Sequence, residues 1–99
     1  MNVIKFNNTS FEVESYNKNT YFNGETVNSN ANCTIKANDM TVVNALAEET
    51  ITSIEIRHDG EVIYTLSNIN AKIESINEYL SGDRMNVSIN LTFNMGANE

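Results

Sequence analysis

The stretch Arg84-Met-Asn-Val-Ser-Ile-Asn-Leu-Thr-Phe-Asn94 decides the class of fold. Met85, Val87, Ile89, Leu91 and Phe93 alternate without exception with Asn86, Ser88, Asn90, Thr92 and Asn94. A strand turns successive side chains to opposite faces, whereas a helix would scatter the five apolar groups around its circumference. The segment is therefore a strand with one face in a core and one face polar.

A long strand needs a paired neighbour, and the neighbour in sequence is the usual one. Working back from Arg84, Ser81-Gly82-Asp83 is turn-like, and Asn68 to Leu80 precedes it. That segment has two readings. Ile69, Ile73, Ile76 and Leu80 fit a helical stripe with Asn68 as cap and Gly82 just past the end. Ala71, Ile73, Ser75, Asn77 and Tyr79 fit one face of a strand. The strand reading, giving a long hairpin with Arg84–Asn94, is favoured because it supplies the partner.

Farther upstream, Asp59-Gly60 separates the apolar runs Thr50–His58 and Glu61–Ser67, and Asn23-Gly24 follows Tyr21-Phe22. Both pairs suit a type I′ hairpin turn, which needs positive φ at its two central residues. With a two-residue turn at Asp59-Gly60, His58 opposes Glu61, Ile56 opposes Ile63 and Glu55 opposes Tyr64. Ile54, Ile56 and Ile63 then share one face, and Val62, Tyr64 and Leu66 share the other. Such a hairpin must be covered on both sides, one by the helix or a second sheet and the other by a neighbouring subunit.

Val3–Phe6 and Phe11–Ser15 read as a hairpin across a polar loop, Asn7 to Ser10. Tyr16–Asn19 reads as a turn. Asn28–Asn32 is too polar for a buried strand and reads as a loop or exposed edge leading into Cys33–Lys36. Asn38 or Asp39 can cap a helix running to about Ala47, with Met40, Val43, Leu46 and Ala47 as its apolar face. The expected class is α+β: an antiparallel sandwich or roll of about seven short strands with one short helix, in a single domain spanning 1–99.

Composition limits the function. The apolar share is 40%, with no proline or tryptophan and one cysteine, Cys33, so no internal disulfide can form. The start of the sequence has no apolar run of signal-peptide length, and no segment is long and apolar enough to span a bilayer as a helix. A soluble intracellular protein is expected. The net charge of -7 repels polyanions, so neither nucleic acid nor an anionic membrane is an expected partner. Asparagine is frequent, and Asn-x-Ser/Thr triplets occur at Asn7, Asn8, Asn32, Asn86 and Asn90; without a secretory signal they carry no expected modification.

Chemistry-bearing residues are sparse. His58 is the only histidine and lies beside a tight turn. Cys33 has no second cysteine for redox or metal work, and four Cys/His zinc ligands are lacking. The carboxylate pairs Glu12/Glu14, Glu48/Glu49 and Glu74/Glu78 read as solvated surface, and Asp39, Asp59 and Asp83 fall at caps or turns. No phosphate loop, EF-hand spacing or nucleophile elbow is present. No cofactor and no enzymatic activity are expected.

Glu61-Val-Ile-Tyr-Thr-Leu66, Ala71-Lys-Ile-Glu-Ser-Ile-Asn-Glu78 and Gly82-Asp-Arg-Met-Asn-Val-Ser-Ile-Asn-Leu-Thr-Phe93 together resemble small proteins encoded among the structural genes of tailed bacteriophages and prophages of low-GC Gram-positive bacteria. The resemblance covers the second half of the chain. It implies a small β-rich component of a tail, baseplate or head–tail junction. Such a protein works by association with itself or other virion subunits, first in the host cytoplasm and then in the particle. Candidate contact residues are Val62, Tyr64 and Leu66 on the two-faced hairpin and Asn86, Ser88 and Asn90 on the polar face of the terminal strand. Two other classes stand beside it. One is a small acidic phage-encoded inhibitor or anti-defence protein that binds a host protein. The other is a carbohydrate- or peptide-binding module using Tyr16, Tyr21 or Tyr64.

Overall fold

A computed structural model describes residues 1–37 and 39–93. Asn38 as a helix cap, Asn94 as the last member of the terminal alternation and the expected fraying of 95–99 lie outside the described residues.

The chain forms β1 (Asn2–Phe6), β2 (Thr9–Asn23), β3 (Thr26–Lys36), α1 (Met40–Ala47), β4 (Ile51–His58), β5 (Glu61–Ser81) and β6 (Arg84–Phe93). All pairings are antiparallel, and the order β1-β2-β3-β6-β5-β4 closes into a barrel. The fold is thus mainly β, and among the described residues it has six strands and one short helix, where a sandwich or roll of about seven strands was expected. Closure removes the free sheet edges that invite nonspecific pairing.

Two long strands allow six to suffice. β2 pairs β1 through Thr9–Glu12 and then β3 through Glu12–Asn23. β5 pairs β4 up to Ala71 and β6 from Ala71 onward. Tyr16–Asn19, expected as a turn, and Asn28–Asn32, expected as loop or edge, are instead paired strand, with Asn17 opposite Asn32 and Asn19 opposite Asn30. Their polar side chains alternate with inward Cys33 and Ala31, so half of each segment serves the core. The ambiguous 69–80 segment is strand, in the favoured hairpin with β6.

Bulges correct the expected faces. Ile56 pairs with Tyr64 and Arg57 with Val62, leaving Ile63 as the extra residue. Tyr64 and Leu66 therefore turn inward beside Ile56 and Ile54, while Ile63 is exposed. The expected grouping, Ile63 with Ile54 and Ile56 and Tyr64 and Leu66 with Val62, is overturned because one inserted residue flips every later side chain. Glu74 is a second extra residue, so Ala71 and Ile73 point inward but Ser75, Asn77 and Tyr79 do not share their face.

The turns follow their chemistry. Asp59 and Gly60 both have positive φ, 50° and 89°, as a I′ turn requires. At the tip of β2–β3 the pair is Asn23 with Thr26, so the central residues are Gly24-Glu25, not Asn23-Gly24. The first loop is also tighter than expected. Phe6 pairs with Thr9, and Asn7, at φ 56°, carries the turn. Its amide donates to the Thr50 carbonyl at 3.1 Å and accepts from the Thr52 N–H at 2.9 Å, tying the β1–β2 turn to the entry of β4.

Asp39 caps α1 by accepting from the Thr41 N–H at 2.9 Å, and Val43 and Leu46 are the helix's buried residues. The core contains Ile4, Phe6, Val13, Ile35, Ile51, Ile54, Val87, Ile89, Leu91 and Phe93 with these helix residues. β6 supplies it as the alternation requires, save that Met85 lies exposed near the turn.

Candidate interaction surface

The inward rows of two hairpins do not stop at the barrel rim. The last β3–β6 pairs are Ser29 with Phe93 at one end and Ile35 with Val87 at the other. Past Ser29, β2 and β3 continue to Gly24 with no third strand beside them among the described residues. Past Val87, β5 and β6 continue to Gly82. Because β3 and β6 are antiparallel neighbours, the two overhangs project from opposite ends of the molecule, whose longest extent is 46 Å.

Each overhang continues the register of the core face. On β2–β3 the inward pairs run Tyr16/Cys33, Lys18/Ala31, Thr20/Ser29 and then Phe22/Val27. On β5–β6 Leu80 pairs with Met85 on the row that carries Val87. Phe22 is 79% exposed and Leu80 67%, with Tyr21 and Met85 also exposed. Phe22, Leu80 and Met85 lie where the pleat would bury them if something lay against them, whereas Tyr21 is on the opposite face of its strand.

Under the β5–β6 overhang lies a groove of about 920 Å³, lined by Phe11, Ala37, Val42 and Met85 and rimmed by Glu12, Lys36, Asp39, Asp83 and Arg84. Lys36 binds Glu12 at 3.0 Å and approaches Glu14 at 3.8 Å, and Asp39 is engaged in the helix cap. Among the described residues Arg84 makes no ion pair.

The outward face of β2, β3, β6 and β5 is a polar lattice. Its rows run Ser15, Thr34, Ser88, Asn77; Asn17, Asn32, Asn90, Ser75; and Asn19, Asn30, Thr92, Lys72. Asn90 donates to the Ser75 hydroxyl at 3.0 Å. A shallow depression of about 560 Å³ lies among Asn30, Asn32, Ser75, Asn90 and Thr92.

The candidate contact residues do not form one patch. Val62 is exposed on the part of β5 that pairs with β4. Tyr64 and Leu66 pack against the core, the Tyr64 ring lying 5.5 Å from that of Tyr16. Ser88 and Asn90 are half-buried on the polar lattice, and Asn86, only 4% exposed, has a side-chain oxygen without a partner among the described residues. The overhangs escape sequence reasoning because exposure of Phe22 or Leu80 depends on where a third strand stops. The adjacent aromatics Tyr21-Phe22 beside a turn are the one local signal.

The remaining groups are placed as follows. His58 is exposed, its Nδ1 2.6 Å from the Asn2 side-chain oxygen and its Nε2 3.3 Å from Asp59. The amino-terminal ammonium hydrogen-bonds the Asp59 carboxyl and, with His58, holds it below the usual carboxylate range. Cys33 is buried, and burial pushes its thiol up to about 12. Burial, reinforced by Tyr64, raises the Tyr16 phenol well above its ordinary value. Among the described residues, no three His, Cys, Asp or Glu side chains gather as a metal site would need, and no helix is long and apolar enough to cross a membrane.

The fold and surface define a class: a closed, antiparallel six-stranded barrel with one short helix and two apolar hairpin overhangs. Comparison with protein-family models, curated proteins and solved structures found no match to this chain.

Proposed function

We propose that the protein is a non-enzymatic subunit of phage-virion type, structural or concerned with assembly, that acts by protein–protein association. It would work in the host bacterial cytoplasm during assembly and then in the particle, with itself or other virion subunits as partners and without nucleic acid, membrane or cofactor. The observation that carries this reading is the pair of uncovered apolar overhangs at opposite ends of a closed barrel. A closed barrel cannot recruit partners through its edges, so exposed core-type side chains beyond its rim are its natural contacts.

The inhibitor reading calls for carboxylates gathered on one face. Here Glu12 is matched by Lys36, Glu55 by Arg57 and Asp59 by the amino terminus, which divides the acidic charge. The carbohydrate reading loses two of its three tyrosines, since Tyr16 and Tyr64 pack on one another inside.

Light scattering on purified protein, together with mass spectrometry of purified virions, tests the proposal. Concentration-dependent growth in mass and presence in particles are expected. A strict monomer that is absent from particles contradicts it.

A further inference from the structure

We infer that successive copies join head to tail, the β2–β3 tip of one (Tyr21, Phe22, Val27) seating in the groove beneath the β5–β6 overhang of the next (Phe11, Val42, Met85). This rests on the proposed function and names the surfaces that perform it.

Three observations converge on a second copy as the occupant. The first is chemical match. The tip presents two exposed aromatic side chains, and the groove is floored by Phe11, Ala37, Val42 and Met85. The two rings are adjacent on β2 and lie on opposite faces of the hairpin, so the tip would enter the groove of about 920 Å³ as a wedge with an aromatic ring on each side.

The second is charge. The molecule carries -7, so copies repel unless the approaching surfaces are locally complementary. The tip bears one side chain charged at neutral pH, exposed Glu25 in the turn. The groove rim holds Arg84, which has no ion-pair partner among the described residues. Lys36 and Asp39 on the same rim are already engaged with Glu12 and the Thr41 N–H, and Asp83 in the turn precedes Arg84 at the start of β6. The Glu25–Arg84 pairing is therefore the one that docking would add.

The third is placement. Tip and groove lie past opposite ends of the β3–β6 pairing, so a molecule cannot fill its own groove. The contact is heterologous, and it propagates into a ring or a filament according to the rotation per step.

Sedimentation velocity from micromolar to millimolar concentration tests the inference with wild type, Phe22→Ser, Met85→Ser, Glu25→Arg, Arg84→Glu and the double Glu25→Arg/Arg84→Glu. Each site is exposed, so each variant should melt as wild type does. Wild type is expected to assemble. Each single variant should raise the concentration of half-assembly by about tenfold or more, as loss of an anchor at an interface centre does. The charge-swapped double should recover most of it. A mixture of Phe22→Ser with Met85→Ser keeps one intact tip and one intact groove, so it should stop at heterodimers. Assembly of Phe22→Ser at wild-type concentrations, or no recovery in the double, overturns the head-to-tail contact while leaving self-association standing. A wild type that stays monomeric throughout overturns the proposed function as well.

Discussion

Truncating Ile89 to alanine probes the strand from which the fold was read. Ile89 is fully buried in the middle of β6, opposite Cys33 on β3 and Ile76 on β5. The substitution removes three carbon centres, worth about 2.4 kcal/mol at roughly 0.8 kcal/mol per buried methylene. A barrel wall held on both sides relaxes little around the void, so the cavity adds to this and the total reaches about 3–4 kcal/mol. That is a large part of the roughly 5–15 kcal/mol by which a domain is stable. Urea unfolding followed by far-ultraviolet circular dichroism is the assay. With a slope of about 1–3 kcal/mol per molar, the midpoint should fall by more than about 1 M. Ser88→Ala is the paired control, because Ser88 is half-buried on the opposite face and the expected loss is within about 0.5 kcal/mol. A one-residue slip exchanges the two faces. A small loss at Ile89 with a large one at Ser88 would refute the register and, with it, the position of both overhangs.

Asn7→Ala removes four side-chain hydrogen bonds, donated to the Glu49 carboxylate and the Thr50 carbonyl and accepted from the Thr52 N–H and hydroxyl, and places alanine at φ 56°. It should cost about 1–2 kcal/mol in a chemical melt, and no change would mean the turn is not anchored there. Cys33 should resist a thiol reagent at pH 8 in the native protein and react fully in denaturant; rapid native labelling would contradict its burial. Its folded value of about 12 lies above the ordinary thiol range, so its contribution to stability is complete below the unfolded value of about 8.5. It should be lost as pH rises from there toward 12, because only the unfolded chain releases the proton. A Cys33→Ala variant should lack that part of the alkaline decline, and an unchanged decline would assign it elsewhere.

The parts of the fold legible in the residues are those where one local rule suffices. Arg84–Phe93 alternates because one face is buried, and Asp59-Gly60 turns because both residues accept positive φ. Asn28–Asn32 is illegible for a physical reason. Its polar groups form the outer lattice, and only Ala31 and Ser29 face inward, so composition reads as loop while pairing with β2 and β6 makes strand. The bulged residues Glu14, Ile63 and Glu74 carry no mark in the sequence, yet each reverses the faces beyond it. That is why Tyr64 and Leu66 read as surface. The overhangs depend on register at a distance, since nothing near Phe22 says that β6's described pairing ends opposite Ser29.

The most direct test of association through the two ends is amide hydrogen exchange, read by mass spectrometry at micromolar and at near-millimolar concentration. Added protection is expected at Tyr21–Val27, Leu80–Met85 and the helix turn bearing Val42, with the Asn32, Ser88 and Asn90 lattice unchanged. Identical exchange at both concentrations, or protection confined to that lattice, would contradict it.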